Sequence, residues 1–185
     1  MSRESKTVAV SLATGLCMVA IAAPALAKSE KVVSGHATVR ASIQIASFLR
    51  SRGITVSPIG PAKISAGAMT MPMVGGTVSV PTMNGTMNAQ GGLEYRNGNK
   101  IVRVRSYVLS HKAGNATLTA IVNGHRIVIA TMSSPNVHMS GKHATMSGGL
   151  HISAAWAKLI NHLVGLHVVH AGETIGQLSM KVKMA

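Results

Sequence analysis

Two Asn-Gly pairs, Asn97-Gly98 and Asn123-Gly124, each stand between runs in which apolar and polar residues alternate. Asn-Gly accepts positive φ at both central positions of a type I′ turn, whose twist matches that of two antiparallel strands. The first pair predicts a hairpin of Gly92–Arg96 and Lys100–Ser110. Leu93 and Tyr95 then share an inner face with Val102, Val104 and Val108, and Glu94, Arg96, Arg103 and Arg105 share the outer one. The second predicts a hairpin of Ala116–Val122 and His125–Met132, with Leu118, Ala120 and Val122 facing in beside Ile127 and Ile129. Alternation constrains register strongly, because a slip of one residue turns every side chain to the opposite face. The last segment, Gly176–Met184, alternates as cleanly. Leu178, Met180, Val182 and Met184 fall on one side, and Gln177, Ser179, Lys181 and Lys183 on the other.

Helical spacing occurs twice. Residues 42–52 (SIQIASFLRSR) space Ile43, Ala46 and Phe48-Leu49 as a helix would, with Gly53 as the stop. Ser153 is a natural N-cap for AAWAKLINHLV, whose stripe is Trp156, Leu159, Ile160 and Leu163, and Gly165 ends it. Ile54–Ile59 reads as a short extended piece. The pairs Gly75-Gly76, Gly91-Gly92 and Gly148-Gly149 read as bends, since none opens a helix after a strand as a phosphate-binding loop does. The fold expected is mainly β, an antiparallel sandwich or partly closed barrel, with one short helix near each end of a single domain over residues 28–185.

Residues 1–27 carry a basic start (Arg3, Lys6), an apolar run from Val8 to Ala23, and the small-residue end Ala25-Leu26-Ala27. That order is the signature of a cleaved secretory signal, and the run is shorter than the ~20 residues that span a bilayer. The expected product is secreted or associated with the cell envelope, starts at Lys28, and has lost Cys17, the only cysteine. It holds neither disulfides nor thiolate metal sites.

Charge narrows the function. Of 18 Lys and Arg, only Arg3 and Lys6 leave with the signal, whereas the remaining acids are Glu30, Glu94 and Glu173, with no Asp anywhere. Paired-carboxylate catalysis, a Ser-His-acid triad and carboxylate-bound Mg²⁺ or Ca²⁺ all require acids that this chain lacks. A non-catalytic binding or structural protein is expected. Its partners are anionic cell-wall polymers or a phospholipid surface. The face predicted to meet them carries Arg96, Arg103, Arg105 and Tyr107. Single-stranded nucleic acid needs several stacking rings beside such cations, and one Trp, two Tyr and one Phe are too few.

The alternative ligand is copper. Met69, Met71 and Met73 recur at spacing two, which places three thioethers on one side of an extended chain. His138, Met139, His143 and Met146 offer imidazole and thioether within one stretch, and these donors suit copper. In a domain so poor in aromatic residues, methionine also serves as core filler.

Several blocks recur in a fixed order: Pro72-Met-Val-Gly-Gly76, Asn84 to Leu93, Thr117-Leu-Thr-Ala120, Ala157-Lys-Leu-Ile-Asn161 and Ala171-Gly-Glu-Thr-Ile-Gly176. This order is similar to that in a group of exported, β-rich proteins of actinobacteria. More distantly it resembles the HtaA-type haem-acquisition domain, another exported β-rich domain with a Gly-Gly-Leu turn. The resemblance implies that a tyrosine following a Ser-Phe pair ligates haem. Here Ser47-Phe48-Leu-Arg leads to Ser51 at that position. The expectation is therefore no cofactor, copper as the alternative, and haem as a third reading that rests on the distant resemblance alone.

Overall fold

The computed structural model describes residues 28–185, so the expected signal and Cys17 lie outside the described residues. In chain order the elements are β1 (Lys28–Ala41), α1 (Ile43–Ser51), β2 (Thr55–Ile59), β3 (Lys63–Ser65), β4 (Ala68–Val80), β5 (Gly85–Asn97) and β6 (Lys100–Lys112). There follow β7 (Asn115–Val122), β8 (His125–Ser133), β9 (Asn136–Ser140), β10 (His143–Ile152), α2 (Ala154–Val164) and β11 (Thr174–Met184). Every pairing is antiparallel. The order β1-β4-β5-β6-β7-β8-β10-β11 returns to β1, which closes an eight-stranded barrel. The expectation of a sandwich or partly closed barrel resolves as a closed barrel with added strands.

Both Asn-Gly hairpins form, as β5–β6 and β7–β8. One inner-face assignment is corrected. A bulge between Arg105 and Val108, with Ser106 at φ 55°, inserts one residue into β6. The insertion reverses the alternation beyond it, so that Tyr107, Leu109 and His111 turn inward and Val108 turns partly outward. Tyr107 is therefore a core residue, 4% exposed, and does not stand on the outer face with the arginines.

The barrel is asymmetric along its axis. At one end, called lower here, Met73–Val78 of β4 pair with Gly85–Ala89 of β5 and seal the wall. Above that, a bulge at Ala89–Gly92 bends β5 away. Its upper half takes β2 as partner, and the upper half of β4 takes β3. The Gly91-Gly92 pair sits at this bend. A Cβ on Gly91 would lie 2.5 Å from the backbone nitrogen of Ala62, so only glycine lets the β2–β3 turn press against β5.

The lower half is filled by sulfur. Met71, Met83, Met87, Met132, Met146, Met180 and Met184 are among the largest fully buried side chains. Unbranched and flexible, methionine occupies gaps that rings would otherwise fill. A void of only about 10 Å³ remains between Met71, Met87, Tyr107 and Leu178, no more than about one water's worth.

Candidate functional site

The upper end, where β1, β5, β7 and β10 finish, is built differently. Two helices cover it instead of packed side chains. Ser153 caps α2, its Oγ accepting the Trp156 N–H at 3.0 Å and donating to the Val128 carbonyl at 2.6 Å, which ties the helix to β8. Trp156, Ala157, Ile160 and Leu163 form its buried face, and Gly165 ends it with φ 75°. The Asn161 side chain donates to the Val169 carbonyl and accepts from the N–H groups of Val168 and Val169. That clasp holds the following loop and presents Val169 inward.

Helix α1 is capped by Ser42, whose Oγ accepts from the Ile45 N–H at 3.2 Å. None of its residues is buried. Its apolar side faces a cavity of about 440 Å³ that opens between α1, α2 and the barrel mouth. Ile45, Phe48 and Leu49 form one wall, Trp156 and Ile160 another, and Val39, Val56, Met69, Leu93 and Ile175 the floor and rim. The volume lies in the range of small-molecule and cofactor sites, which are mostly apolar with a few placed polar groups. Those groups here are Tyr95 and Arg50. Burial pushes the Tyr95 hydroxyl up to about 12, and among the described residues no hydrogen bond is made to it. Its ring packs edge-on against Trp156. Arg52 lies over the Phe48 ring at 5.7 Å and adds a second cation beside α1.

The other expected sites are dispersed. Glu94 joins Arg96 at 2.9 Å and Arg103 at 2.8 Å, and the hydrogen bonds from Arg96 and then Arg103 hold its carboxyl below the usual range. Arg105 stays exposed, while Tyr107 is inside the barrel. Met69, Met71 and Met73 all point inward and are buried. Alternation along β9 and β10 puts the exposed His138 and His143 on the outer face, while Met146 is fully buried and Met139 turns partly inward. Imidazoles and thioethers thus lie on opposite sides of the wall and form no joint site. No group of three His, Cys, Asp or Glu able to hold a metal occurs among the described residues. Ser51 is exposed, its hydroxyl donating to the Phe48 carbonyl at 2.9 Å.

Comparison with protein-family models and with curated proteins gives no match. Solved structures do match. The chain is similar to the C-terminal domain of HtaA from Corynebacterium glutamicum, with TM-score 0.70 and 15% identity over 84% of this chain and 99% of that one. It is similar to the N-terminal domain of HtaA, with TM-score 0.65 and 11% identity over 83% and 99% of the two chains. The haem-binding protein HtaB of the same organism matches with TM-score 0.60 and 10% identity over 85% and 96%. At this identity the likeness establishes the fold, an HtaA-type barrel.

The expectation of no cofactor, with copper as the alternative and haem the least favoured reading, is thereby corrected. A haem-binding protein is built on this fold, and the barrel mouth here holds an apolar cavity instead of a packed end. The cavity fits a haem by its donors. Haem iron takes an axial Tyr, His, Cys or Met. Tyr95 offers a phenol and Met69 a thioether, and Arg50 suits a carboxylate. Tyr95, which the structure places on this cavity, was read in the sequence only as an inner-face hairpin residue.

Proposed function

We propose that this protein is a non-catalytic haem-binding protein whose ligand lies in the cavity between α1, α2 and the barrel mouth. The observation that carries the reading is that cavity: apolar, of cofactor size, and lined by the phenol of Tyr95. Haem-binding HtaB shares the fold and supports the same reading. When bound, haem would supply an iron that a protein side chain can ligate. Tyr95 is the residue assigned to it, since ferric iron favours an oxygen donor over the Met69 thioether. Arg50 pairs with a haem carboxylate at the rim. Ile45, Phe48, Leu49, Trp156 and Ile160 exclude water from the macrocycle. In this reading residues 1–27 are an export signal. No helix among the described residues is long and apolar enough to cross a membrane.

Titration of ferric haem into the protein tests the proposal. A saturable Soret shift with one haem per chain is the result expected. Absence of saturable binding at micromolar protein would overturn it.

A further inference from the structure

Glu94 already partners two of the three arginines first expected to meet anions, yet another wall of the barrel carries cations with no acid beside them. β9, β10, β11 and β1 run side by side, and their register sets outward residues in rows. One row is Ser140, His143, Lys183 and Ser34; the next is His138, Thr145, Lys181 and His36. All eight are exposed. A third row, Asn136, Ser147, Ser179 and Thr38, adds hydroxyl and amide groups. The acidic side chains among the described residues are elsewhere. Glu30 pairs with Lys28 beyond the end of β11, Glu94 lies on β5, and Glu173 precedes β11 at the barrel mouth.

Strand geometry sets the spacing of this array. Neighbouring strands are ~4.8 Å apart, and outward side chains along one strand recur every ~6.8 Å. Lys181 and Lys183 therefore form a short ladder on β11, with the His36 and His143 rings on the strands either side and hydroxyls between. Such a surface supplies charged and neutral donors to a series of anionic oxygens. It offers nothing to stack on a base, because the rings of Phe48, Tyr95 and Trp156 line the cavity and Tyr107 is in the core. Of the large apolar side chains that are exposed, Val33 alone lies in the β1 stretch of this wall, too little to enter a bilayer.

We propose that this wall binds a linear polyanion of phosphates joined by polyol or sugar units, with Lys181 and Lys183 contacting successive phosphates. The site lies on the barrel's flank, apart from the cavity at its mouth, and stands whether or not haem binds there.

The test measures affinity for a glycerol-phosphate oligomer across a salt series, beside single-stranded DNA of equal charge and vesicles of anionic phospholipid. The oligomer is expected to bind with an affinity that falls as salt rises. The Lys181→Gln/Lys183→Gln variant should lose about tenfold or more at low salt, and its slope of log affinity against log salt should flatten by about 1.4. Lys181→Gln alone, the fallback if the double variant misfolds, should flatten it by about 0.7. Arg96→Gln/Arg103→Gln should change affinity less than about twofold, because those cations are already partnered. No oligomer binding at low salt, or binding indifferent to both lysines, overturns the proposal. So does equally tight binding of the DNA or the vesicles through the same lysines, which would assign the wall to nucleic acid or to membrane.

Discussion

The ring of Tyr95, at the upper end of β5, meets Trp156 of α2 edge-on, with centroids 5.6 Å apart and planes inclined by 66°. This contact joins the barrel wall to the helix that covers its mouth, and both rings line the cavity. Edge-to-face pairs contribute about 0.5–1.5 kcal/mol beyond their buried area. Tyr95→Phe keeps that contact and removes only the hydroxyl. Stability of the free protein should then change by less than about 0.5 kcal/mol, whereas ferric haem affinity should fall about tenfold or more. Trp156 is the only tryptophan in the chain, so its emission should be quenched as haem enters. Quenching with an unaltered affinity in Tyr95→Phe would retain the haem site and remove Tyr95 as its ligand.

Alkaline pH should destabilise the fold through its two tyrosines. Burial pushes Tyr95 up to about 12 and Tyr107 well above the usual tyrosine value. A group whose proton is held more tightly in the folded state gives its full stabilisation below the unfolded pKa. That contribution is lost as pH rises from about 10 toward the folded value. Denaturant unfolding should show constant stability from these groups up to about pH 10, then a fall of about 1.4 kcal/mol per pH unit for each tyrosine. Phenolate absorbance rising at the ordinary tyrosine pH while the chain is still folded would contradict this.

His111 faces the barrel interior, is 5% exposed, and neither ring nitrogen has a partner among the described residues. A buried polar group left unpaired costs about 1–3 kcal/mol, and an apolar group of similar shape avoids that penalty. His111→Leu should raise the unfolding free energy by about 1 kcal/mol, read from the urea midpoint. A loss of stability instead would mean that the imidazole has a partner, such as a bound water.

Two glycines with positive φ should respond unequally to alanine. At Gly91 the new Cβ would meet backbone 2.5 Å away, whereas at Gly98, in the Asn-Gly turn, nothing lies within 4 Å. Gly98→Ala should cost about 1 kcal/mol, the conformational penalty alone. Gly91→Ala must also push the β2–β3 turn off β5, and should cost at least about twice that and weaken haem binding. Equal melting temperatures for the two variants would show that the bend at Gly91 yields easily.

The two Asn-Gly hairpins, the last strand and both helices were legible because each rests on short-range chemistry, whereas β1, β9 and β10 carry no such mark and were not read. Asn97-Gly98 and Asn123-Gly124 mark their turns, Ser153 caps its helix, and Gly176–Met184 alternates through its whole length. Tyr107 was misplaced because one extra residue at Ser106 reverses the alternation, and nothing in the local composition marks that bulge. The cavity was not legible because it depends on closure. Ile45, Trp156, Tyr95 and Val169 are far apart in the chain and converge only when β4 pairs with β5 and both helices fold over one end. The wall at Lys181 and Lys183 was half legible. Period-2 alternation turned both lysines outward, but only strand order brings His36 and His143 beside them.

The methionine-filled lower half also determines how the protein ages. Thioethers oxidise readily, and a sulfoxide is too polar to remain in a packed interior. Among the described residues every methionine except Met139 is buried. Peroxide therefore reaches Met139 and, through the cavity, Met69 in the intact barrel, and the rest only when a strand opens, and a chain once opened and oxidised cannot repack. Uptake of at most two oxygens would mark a barrel that has stayed shut, and greater uptake one that has been open, leaving a cumulative chemical record of transient unfolding.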